Sequence, residues 1–456
     1  MRFAHGLGIT LTIIVAAPVL ARPAVDYGAP ICSIIGDPVR PDFDQAARVE
    51  LETTLRDMVD RGIAPGVVMM VEQGGETVFS FAHGAADPEQ GEPMAEDTLF
   101  RLYSMTKPVT SIVALQLVAE GRLSLDDPVS DYIQEFADIR MMPEDGESEP
   151  VAPVRPVTIG DLLTHTAGLT YRTNVETVAG QAYFARGIPA GPGVDQPPID
   201  GSDPVSSIAE LVRRVAAVPL LSQPGTAFTY GNATDVLGRV IEIVSDAPLS
   251  DVFDARILTP LGMPSTSFHV AEADLPRLSS AYAAPAQFPD EGEGVATGVA
   301  IDRLGPATLT LADPAASSLF ASPPAIEYGG AGLVGTAGDY LRFTTAVREM
   351  EMPDGSAMLP ASLAEAMRSD QLTPEARLAA DNLDGLGFGY GFAVRLNPTA
   401  EAPVFPQCGY FWGGAASTFF WIDPAGETSG VIMTQVFGGD VRSYFLEAMR
   451  ILYAAE

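Results

Sequence analysis

A serine and a lysine stand three residues apart in the segment RLYSMTKPVT, residues 101–110. Lys107 is the only lysine in the sequence, and the other 25 of the 26 basic residues are arginines. Arginine stays protonated in proteins, whereas a partly buried lysine can lose its proton and serve as a base. A lysine with a purely structural role would be expected to be an arginine here, as elsewhere in the chain. The pair therefore indicates nucleophilic catalysis, with Ser104 as the nucleophile and Lys107 as its base.

The pair begins a stretch that has the apolar spacing of a helix. This spacing continues through Val109 and Ile112 as far as Gly121, a residue type typical of helix C-termini. Side chains at positions i and i+3 lie on one helix face, so Ser104 and Lys107 can meet. A helix N-terminus also leaves backbone N–H groups free, and that of the serine could stabilise an oxyanion. S-x-x-K alone is a weak signal because serine is common, and its place at a helix start strengthens it.

A second candidate element is FTYGN, residues 228–232, which directly precedes another apolar helical pattern. The hydroxyl of Tyr230 could relay protons, and the amide of Asn232 could orient the lysine or a substrate carbonyl. By itself, the segment is equally typical of a core tyrosine followed by a helix N-cap.

A third candidate element is WGGAAST, which begins at Trp412 and leads into an apolar strand pattern. Gly413 and Gly414 permit a close approach to a ligand, and the following N–H of Ala415 could complete an oxyanion hole. Taken alone, it is also typical of an ordinary glycine turn.

The elements that must position these residues differ between the ends and the middle of the chain. Residues 66–84 predict two strands around a Gly-Gly turn, and 389–396, 415–422 and 428–436 predict three more before a closing helix at 441–454. Helical patterns dominate between these ends. The sequence therefore predicts an α/β fold of the α+β type, with an antiparallel sheet flanked by helices and built from both chain ends.

The same pattern predicts how the chain divides. Residues 41–100 and 326–456 would form the sheet domain, and 101–325 a mostly helical inserted domain with Pro/Gly-rich loops. Helix starts are indicated at Thr158, which has a capping-box partner three residues later, and at the threonine within GGAGLVGTAGDYLRF.

Composition narrows the classes of partner. The formal net charge is −33, so phosphate backbones and anionic lipid surfaces would be repelled, and neither nucleic acid nor a membrane is an expected partner. Hydrophobic residues make up 47% of the chain and charged residues 19%, which is typical of a globular protein. The four histidines are far apart and no C-x-x-C spacing occurs, so no metal or cofactor is expected.

The N-terminus predicts export to the periplasm or the medium. Residues 1–21 have a basic start, a short apolar run and a small-residue ending, as a cleaved signal peptide does, although an uncleaved anchor is the alternative. An exported protein could bridge its two cysteines, Cys32 and Cys408, or leave them as buried thiols.

Together and in this order, the three elements resemble the motifs of the serine β-lactamase and penicillin-binding-protein superfamily. The blocks LLTHTAGL, PGTAFTYGN and GGAGLVGTAGDYLRF are also typical of it, and the resemblance covers about residues 45–454. Within the superfamily the chain is similar to the class C-like, family VIII carboxylesterases, which carry W-G-G where β-lactamases carry K-T-G. The resemblance implies a β-lactamase/transpeptidase-like fold.

The resemblance also implies roles for the candidate residues. Ser104 would be the nucleophile, Lys107 its base and Tyr230 the acid/base partner of the leaving group. Asn232 would help orient the site, and the backbone N–H groups of Ser104 and Ala415 would form the oxyanion hole.

Two departures from the family pattern bear on specificity. Trp412 stands where β-lactamases carry a lysine that meets the carboxylate of the drug, which favours neutral acyl esters over anionic β-lactams. Gly231 stands where serine is usual in Y-x-N and is expected to leave a slightly more open pocket. His165 could be taken for a triad base, but in H-T-x-G-L the resemblance implies a structural role.

The function expected is therefore that of a carboxylesterase acting on a small-molecule ester or amide through an acyl-enzyme. Alternatives within the superfamily are a β-lactamase, a D-stereospecific peptidase or an acyltransferase. A protein that binds cell-wall peptide without turnover is the non-enzymatic alternative. An α/β-hydrolase is disfavoured because the chain contains no G-x-S-x-G segment.

Overall fold

A computed structural model describes residues 40–143, 148–193, 198–201, 203–285, 309–378, 385–396, 405–406 and 408–453. The predicted signal segment and Cys32 lie outside the described residues. Cys408 is disulfide-bonded, and Cys32 is the only other cysteine in the sequence. Within the described ranges, no helix is both long enough and apolar enough to span a bilayer.

The strands of the described part of the chain follow in order: β1 Gly66–Gln73, β2 Glu76–Asp87, β3 Glu92–Pro93, β4 Phe100–Arg101, β5 Ala281–Ala283, β6 Thr310–Asp313, β7 Val334–Gly335, β8 Leu386–Phe388, β9 Ala393–Arg395, β10 Tyr410–Gly414, β11 Thr418–Asp423, β12 Thr428–Met433 and β13 Val436–Phe437. The α-helices are α1 Gln45–Asp60, α2 Thr106–Ala119, α3 Ile159–Leu163, α4 Val178–Ala185, α5 Ile208–Ala216, α6 Ala233–Ser245, α7 Leu249–Phe253, α8 Ala337–Glu349, α9 Ala361–Met367, α10 Pro374–Leu378 and α11 Val441–Tyr453.

The main sheet joins the two ends of the chain. Its eight strands run in the order β3-β2-β1-β12-β11-β10-β9-β8, and each neighbouring pair is antiparallel. In the middle of the sheet β1 pairs with β12, and Val68 faces Met433. The prediction of an antiparallel sheet built from both chain ends is therefore confirmed.

Both faces of this sheet are covered. Along β1, Val67 and Met69 pack with α1 and α11 on one face, whereas Val68 packs with the helices of the chain middle on the other. This alternation follows from the two-residue period of a strand. The core on the helical side continues from the sheet strands into α2, α6 and α8. The predicted boundaries between a sheet domain and a helical domain stay a prediction.

Local signals predicted the positions of several elements well. The early hairpin turns at Gly74 and Gly75, whose φ angles of 62° and 90° favour glycine. Thr158 forms a reciprocal capping box with Asp161, and Thr336 caps α8.

The segment around Trp412 was placed wrongly by its pattern. Trp412, Gly413 and Gly414 are the last residues of strand β10, and the turn comes after them, with Ser417 at φ 57°. The pattern of 415–422 consequently predicted the start of β11 three residues too early, because the sheet pairing that makes β10 a strand is not visible in so glycine-rich a segment.

Candidate active site

Ser104 lies in a short turn between strand β4 and helix α2. Residues Tyr103–Met105 form one 3₁₀ turn, and the α-helix begins only at Thr106, so Lys107 is its second residue. Tyr103 has a φ of 44°, a left-handed conformation that is uncommon for a residue with a side chain. Ahead of this turn, the Nε of the buried Arg101 forms a salt bridge of 2.6 Å with the Oδ2 of Asp313. The turn therefore leaves a firmly anchored strand and presents Ser104 directly before the helix.

Lys107 is 1% exposed and its side chain has three close partners. Its Nζ lies 3.1 Å from the Oγ of Ser104, 3.1 Å from the Oη of Tyr171 and 2.7 Å from the carbonyl oxygen of Gly330. A carbonyl can only accept, so one N–H points at Gly330, and a second can serve Tyr171. A neutral lysine would then aim its lone pair at the hydroxyl of Ser104. The geometry thus permits Lys107 to take the Ser104 proton.

Tyr230 meets Lys107 through its ring rather than through its hydroxyl. The Nζ lies 4.7 Å from the ring centroid, within the range of a cation–π interaction. The Oη of Tyr230 accepts a hydrogen bond of 3.4 Å from the indole N–H of Trp412. The indole and phenol rings are also in contact, with centroids 5.4 Å apart. Ser104 and Tyr230 therefore lie next to Lys107, and Trp412 lies next to Tyr230.

Tyr171 is a member of the site that the sequence analysis missed. Its hydroxyl accepts from Lys107, and its ring makes an edge contact with Tyr230 at 5.6 Å. Burial raises the pKa of Tyr171 well above its usual value, and the neighbouring Tyr230 and Asp235 raise it further. The group therefore stays a neutral phenol. The one signal for it in the sequence is its place two residues after the end of the LLTHTAGL block.

Asn232, expected to orient either the lysine or a substrate carbonyl, makes its hydrogen bonds to other groups than Lys107. It is 0% exposed, and its amide nitrogen donates to the Pro189 carbonyl at 3.2 Å and to Asp235 at 2.9 Å. It stands at the N-cap position of α6, but its side chain makes no capping hydrogen bond. The reason is packing, because the side chain turns inward toward buried acceptors instead of toward the free N–H groups of the helix.

Strand β10 lies directly against the segment that carries the serine. A β-carbon on Gly414 would lie 2.3 Å from the carbonyl oxygen of Leu102 and 2.3 Å from the Oγ1 of Thr418, so only glycine permits this approach. A β-carbon on Gly413 would lie 2.9 Å from the Thr418 carbonyl oxygen. Ala415 follows at the exposed start of the turn, beyond the end of the strand. The glycines of W-G-G thus allow the strand end to reach the edge of the site.

The expectation for Gly231 was wrong. A β-carbon there would lie 2.5 Å from the Leu169 carbonyl oxygen and 2.5 Å from the Thr170 Cα. The glycine therefore makes room for a neighbouring backbone segment, and no pocket space is opened. The effect could not be seen in the sequence, because the two segments are brought together only by the fold.

His165 packs beside the site and forms no hydrogen bond with the serine. Its ring lies 4.7 Å from that of Tyr230 and 5.6 Å from that of Phe388. Burial lowers the pKa of His165 well below the ordinary value of 6.5, and the charge of Lys107 lowers it further. Its Nδ1 has no hydrogen-bond partner. The arrangement agrees with the structural interpretation of H-T-x-G-L and not with a triad base.

Comparison with known proteins identifies the family. A sequence model of the family described as Beta-lactamase matches residues 51–453. This chain belongs to the β-lactamase family. The family suggested by the three motifs is thereby confirmed, and the intact Ser104–Lys107 pair together with this membership supports a serine hydrolase.

Three related proteins cover most of the chain. It is 37% identical to Esterase EstB of Burkholderia gladioli over 380 residues, 81% of this chain and 85% of that protein. It is 28% identical to the Lovastatin esterase of Penicillium rubens over 410 residues, 84% of this chain and 91% of that protein. The structure of EstCE1, a hydrolase with promiscuous acyltransferase activity, superimposes with a TM-score of 0.70 at 28% identity and covers 90% of this chain and 99% of its own. The predicted β-lactamase/transpeptidase-like fold is confirmed.

Among the described residues, no group of three histidine, cysteine, aspartate or glutamate side chains is placed to hold a metal ion. The expectation that the reaction needs no cofactor stays a prediction.

Proposed function

We propose that this protein is a serine carboxylesterase that hydrolyses small neutral acyl esters through an acyl-enzyme on Ser104. The observation that carries the proposal is the buried Lys107, whose Nζ lies 3.1 Å from the serine Oγ and whose other partners are uncharged groups. A lysine so placed can hold and release a proton, which an arginine cannot. The similarity to Esterase EstB supports an esterase, and the similarity to EstCE1 supports a hydrolase.

In the proposed acylation, the serine Oγ–H bond breaks as the Oγ–acyl carbon bond forms, and Lys107 takes the proton. The backbone N–H groups of Ser104 and Ala415 would stabilise the tetrahedral oxyanion. The ester C–O bond then breaks, and the leaving alkoxide takes the phenol proton of Tyr230. The proton that Lys107 took from the serine then passes to the tyrosine through a water molecule, since the two groups are not hydrogen-bonded, so the site ends neutral and an alcohol is released.

In the proposed deacylation, a water molecule replaces the alcohol. Lys107, which is neutral again after acylation, accepts its proton as the oxygen attacks the acyl carbon. The new tetrahedral intermediate collapses, the acid leaves, and the serine oxygen regains a proton from Lys107. The indole N–H of Trp412, 3.4 Å from the Tyr230 hydroxyl oxygen, would stabilise charge that develops on that oxygen.

The walls of the site favour a neutral substrate. Trp412 stands in place of a cation, and its ring contacts Tyr230 at 5.4 Å and Phe388 at 5.3 Å. An aromatic wall gives apolar contact to an acyl or alcohol group and no charge-assisted bond to a carboxylate. Losing one such bond costs about 1.5–3 kcal/mol, roughly tenfold to a hundredfold in rate. Carboxylate-bearing β-lactams should therefore be turned over weakly.

Transfer of the acyl group to an alcohol is the second candidate. The similarity to EstCE1, a hydrolase with promiscuous acyltransferase activity, favours it, since the same acyl-enzyme would serve both reactions. Adding methanol or 1-propanol to a running hydrolysis distinguishes the two. A hydrolase that transfers will divide its product between acid and new ester.

We also propose that the protein is exported. The basic and apolar start of residues 1–21 supports this, as does the disulfide of Cys408, because disulfides persist in oxidising compartments. The mass of the mature protein, purified from the periplasm or medium of an expressing cell, tests the cleavage.

The proposed function is tested with p-nitrophenyl esters of increasing acyl length beside nitrocefin and benzylpenicillin. We expect short esters to be hydrolysed at least tenfold faster than either β-lactam. Mass spectrometry of quenched enzyme should show an acyl adduct on the peptide that contains Ser104. Full activity in Ser104→Ala, or benzylpenicillin turnover as fast as that of the best ester, would overturn the proposal.

A further inference from the structure

A buried carboxylate, Asp235, lies beside the candidate base, and the chemistry proposed above does not use it. It is the third residue of α6 and is 1% exposed. In the sequence it stands three residues after Asn232, a spacing typical of an ordinary helix start. A buried aspartate is uncommon unless its charge is paired or hydrogen-bonded.

A single residue, Gly330, connects this carboxylate to Lys107. The Oδ1 of Asp235 accepts from the backbone N–H of Gly330 at 2.9 Å. The carbonyl oxygen of the same glycine accepts from the Nζ of Lys107 at 2.7 Å. The other carboxylate oxygen accepts from Asn232 at 2.9 Å. Asp235 therefore binds the N–H of Gly330 and Lys107 binds its carbonyl oxygen, and the two side chains are linked through this residue without a direct hydrogen bond.

The approach of these groups depends on two glycines. A β-carbon on Gly330 would lie 3.0 Å from the Oδ1 of Asp235 and 3.2 Å from its Oδ2. A β-carbon on Gly329 would lie 2.7 Å from the Thr234 carbonyl oxygen. The Gly-Gly pair of the GGAG block therefore makes room for α6 and brings its carboxylate close to the lysine.

The charged and titratable groups around the pair are few. Lys107 on α2 is the cation that acts on Asp235: burial raises the pKa of this carboxyl, and the lysine charge lowers it. The phenol of Tyr171 accepts a hydrogen bond from Lys107, and its pKa is raised by Asp235. The neutral His165 and the ring of Tyr230 face the lysine. Asp235 is thus the carboxyl group that these contacts place beside Lys107.

We propose that Asp235 is a positioning residue whose charge balances the ammonium that forms when Lys107 takes the proton of Ser104. The inference rests on the proposed function, since it assigns the carboxylate a part in the same acyl-enzyme chemistry. In the proposed acylation the lysine must be neutral when it receives the serine proton, and the carboxyl group of Asp235 lies on the other side of Gly330. When the serine O–H bond breaks, the proton goes to Nζ, and the new positive charge meets the charge already in place. Asp235 therefore stabilises the transition state more than the resting state.

A charge effect of this kind has two opposite consequences. Removing the carboxylate should slow acylation, because the ammonium loses its stabilising neighbour. Removing it should also let Lys107 lose its resting proton at a lower pH, because the protonated form loses the same neighbour. A side chain that only supports the fold would cause neither shift.

The test uses Asp235→Asn in the full chain. The new amide can accept from Gly330, and its NH₂ can face the Oδ1 of Asn232, which has no partner in the wild type, after a flip of that amide. We expect the maximal kcat for p-nitrophenyl acetate to fall about tenfold or more, and the acid limb of kcat/KM to move down by about one pH unit.

Because the chain has one lysine, the proton on that residue can be observed directly. Labelling with ε-¹⁵N-lysine gives one side-chain resonance, and its titration should move to lower pH in Asp235→Asn by the same amount as the acid limb. This measurement needs no turnover. It therefore still tests the inference in Ser104→Ala protein, even if activity in that variant disproves the proposed function.

The chain offers a matched control in Asp339→Asn. Asp339 is also the third residue of its helix, α8, is 3% exposed and has a pKa raised by burial. It accepts from the Ser265 N–H at 2.8 Å and from Arg342 at 2.9 Å, away from the lysine. We expect this variant to lose stability and to leave the acid limb and the lysine titration unchanged.

Two outcomes would overturn the inference. One is a folded Asp235→Asn whose lysine titration and acid limb coincide with those of the wild type. The other is a shift of equal size in Asp339→Asn. If Asp235→Asn does not fold, Asp235→Ser, a smaller neutral side chain, replaces it, and the same two measurements decide.

Discussion

The two tryptophans of this chain lie on neighbouring strands and make the same hydrogen bond in two different surroundings. Trp412 on β10 donates to Tyr230 at 3.4 Å, and Trp421 on β11 donates to Tyr453 at 3.2 Å. We call Trp412, Tyr230 and Lys107 the lysine cluster. We call Trp421 and Tyr453, together with Asp423, Glu72 and Arg348, the arginine cluster.

The two clusters differ in how their cation is held. Arg348 is 8% exposed and binds Glu72 through both of its terminal nitrogens, at 2.6 and 3.2 Å. Lys107 is as deeply buried, but its hydrogen-bond partners are a hydroxyl, a phenol and a carbonyl. A guanidinium in a bidentate ion pair is permanently charged and serves the fold. An amine among neutral acceptors can change its protonation state, and this is what proton transfer requires.

The strongest test exchanges the cation. Lys107→Arg brings a permanent charge into the lysine cluster, so we expect kcat/KM for p-nitrophenyl acetate to fall about a thousandfold or more. The charge and most of the stem persist, so thermal unfolding should show a folded protein.

Chemical modification supplies an independent check on the same residue. Apart from the chain N-terminus, Lys107 carries the one primary amine in the sequence. A small amine-directed reagent should inactivate in proportion to modification of its peptide, and a bound serine-directed inhibitor should protect it. Complete modification without loss of activity would show that the lysine is not the base.

The reciprocal change concerns the arginine cluster. Arg348→Met leaves Glu72, which is 5% exposed, without its cation, and we expect the free energy of unfolding to fall by about 3 kcal/mol. Urea unfolding at pH 7 measures this. Arg348→Lys, which keeps a charge but loses the two-pronged contact, should lose less. In both variants kcat for the remaining folded enzyme should stay within about twofold, and a collapse of kcat would break the division between the clusters.

The two tyrosines sharpen the comparison further. Tyr230→Phe removes the proposed proton relay, so kcat should fall about a hundredfold while the melting temperature changes little. Tyr453→Phe is the matched control, because its hydroxyl accepts a similar indole hydrogen bond. It should leave kcat unchanged and lower stability by about 1 kcal/mol. Equal effects of the two variants on kcat would contradict the role given to Tyr230.

The last prediction concerns the pH dependence of stability in the arginine cluster. Burial raises the pKa of Asp423 from 3.8 to about 6, so the folded protein keeps a proton there that the unfolded chain has lost. Stability from this group is therefore present below about pH 4 and is lost as the pH rises to about 6. Asp423→Asn should be about 3 kcal/mol more stable than the wild type at pH 7.5 and about equally stable at pH 3.5. A stabilisation of the same size at both pH values would refute the assignment.

Much of the fold was predictable because its signals are local. Threonine caps, the Gly-Gly hairpin and the alternating strands are set by a few consecutive residues, and the structure has them at Thr158, Thr336 and Gly74. Strand β10 was missed because its two glycines hide the alternation. It exists as a strand through its pairing with β11 and β9.

The candidate site divides in the same way. The sequence by itself determined the serine–lysine pair, because a spacing of three residues at a helix start places both side chains on one face. It also determined that an aromatic ring, and not a second lysine, follows on the later strand. These features depend on residue type and short spacing alone.

Only the tertiary structure decided what surrounds the lysine. Tyr171 and Gly330 contact Lys107 from 64 and 223 residues away, and Asp235 reaches it through that glycine. The side chain of Asn232 points inward, and a neighbouring backbone segment occupies the space that a side chain at Gly231 would need. Both residues pack against segments that no local pattern connects to them. Burial removes water as a partner for each polar group, so each must bind whichever group the fold brings near. That choice sets which charges the base will meet, and it is made by packing between distant segments.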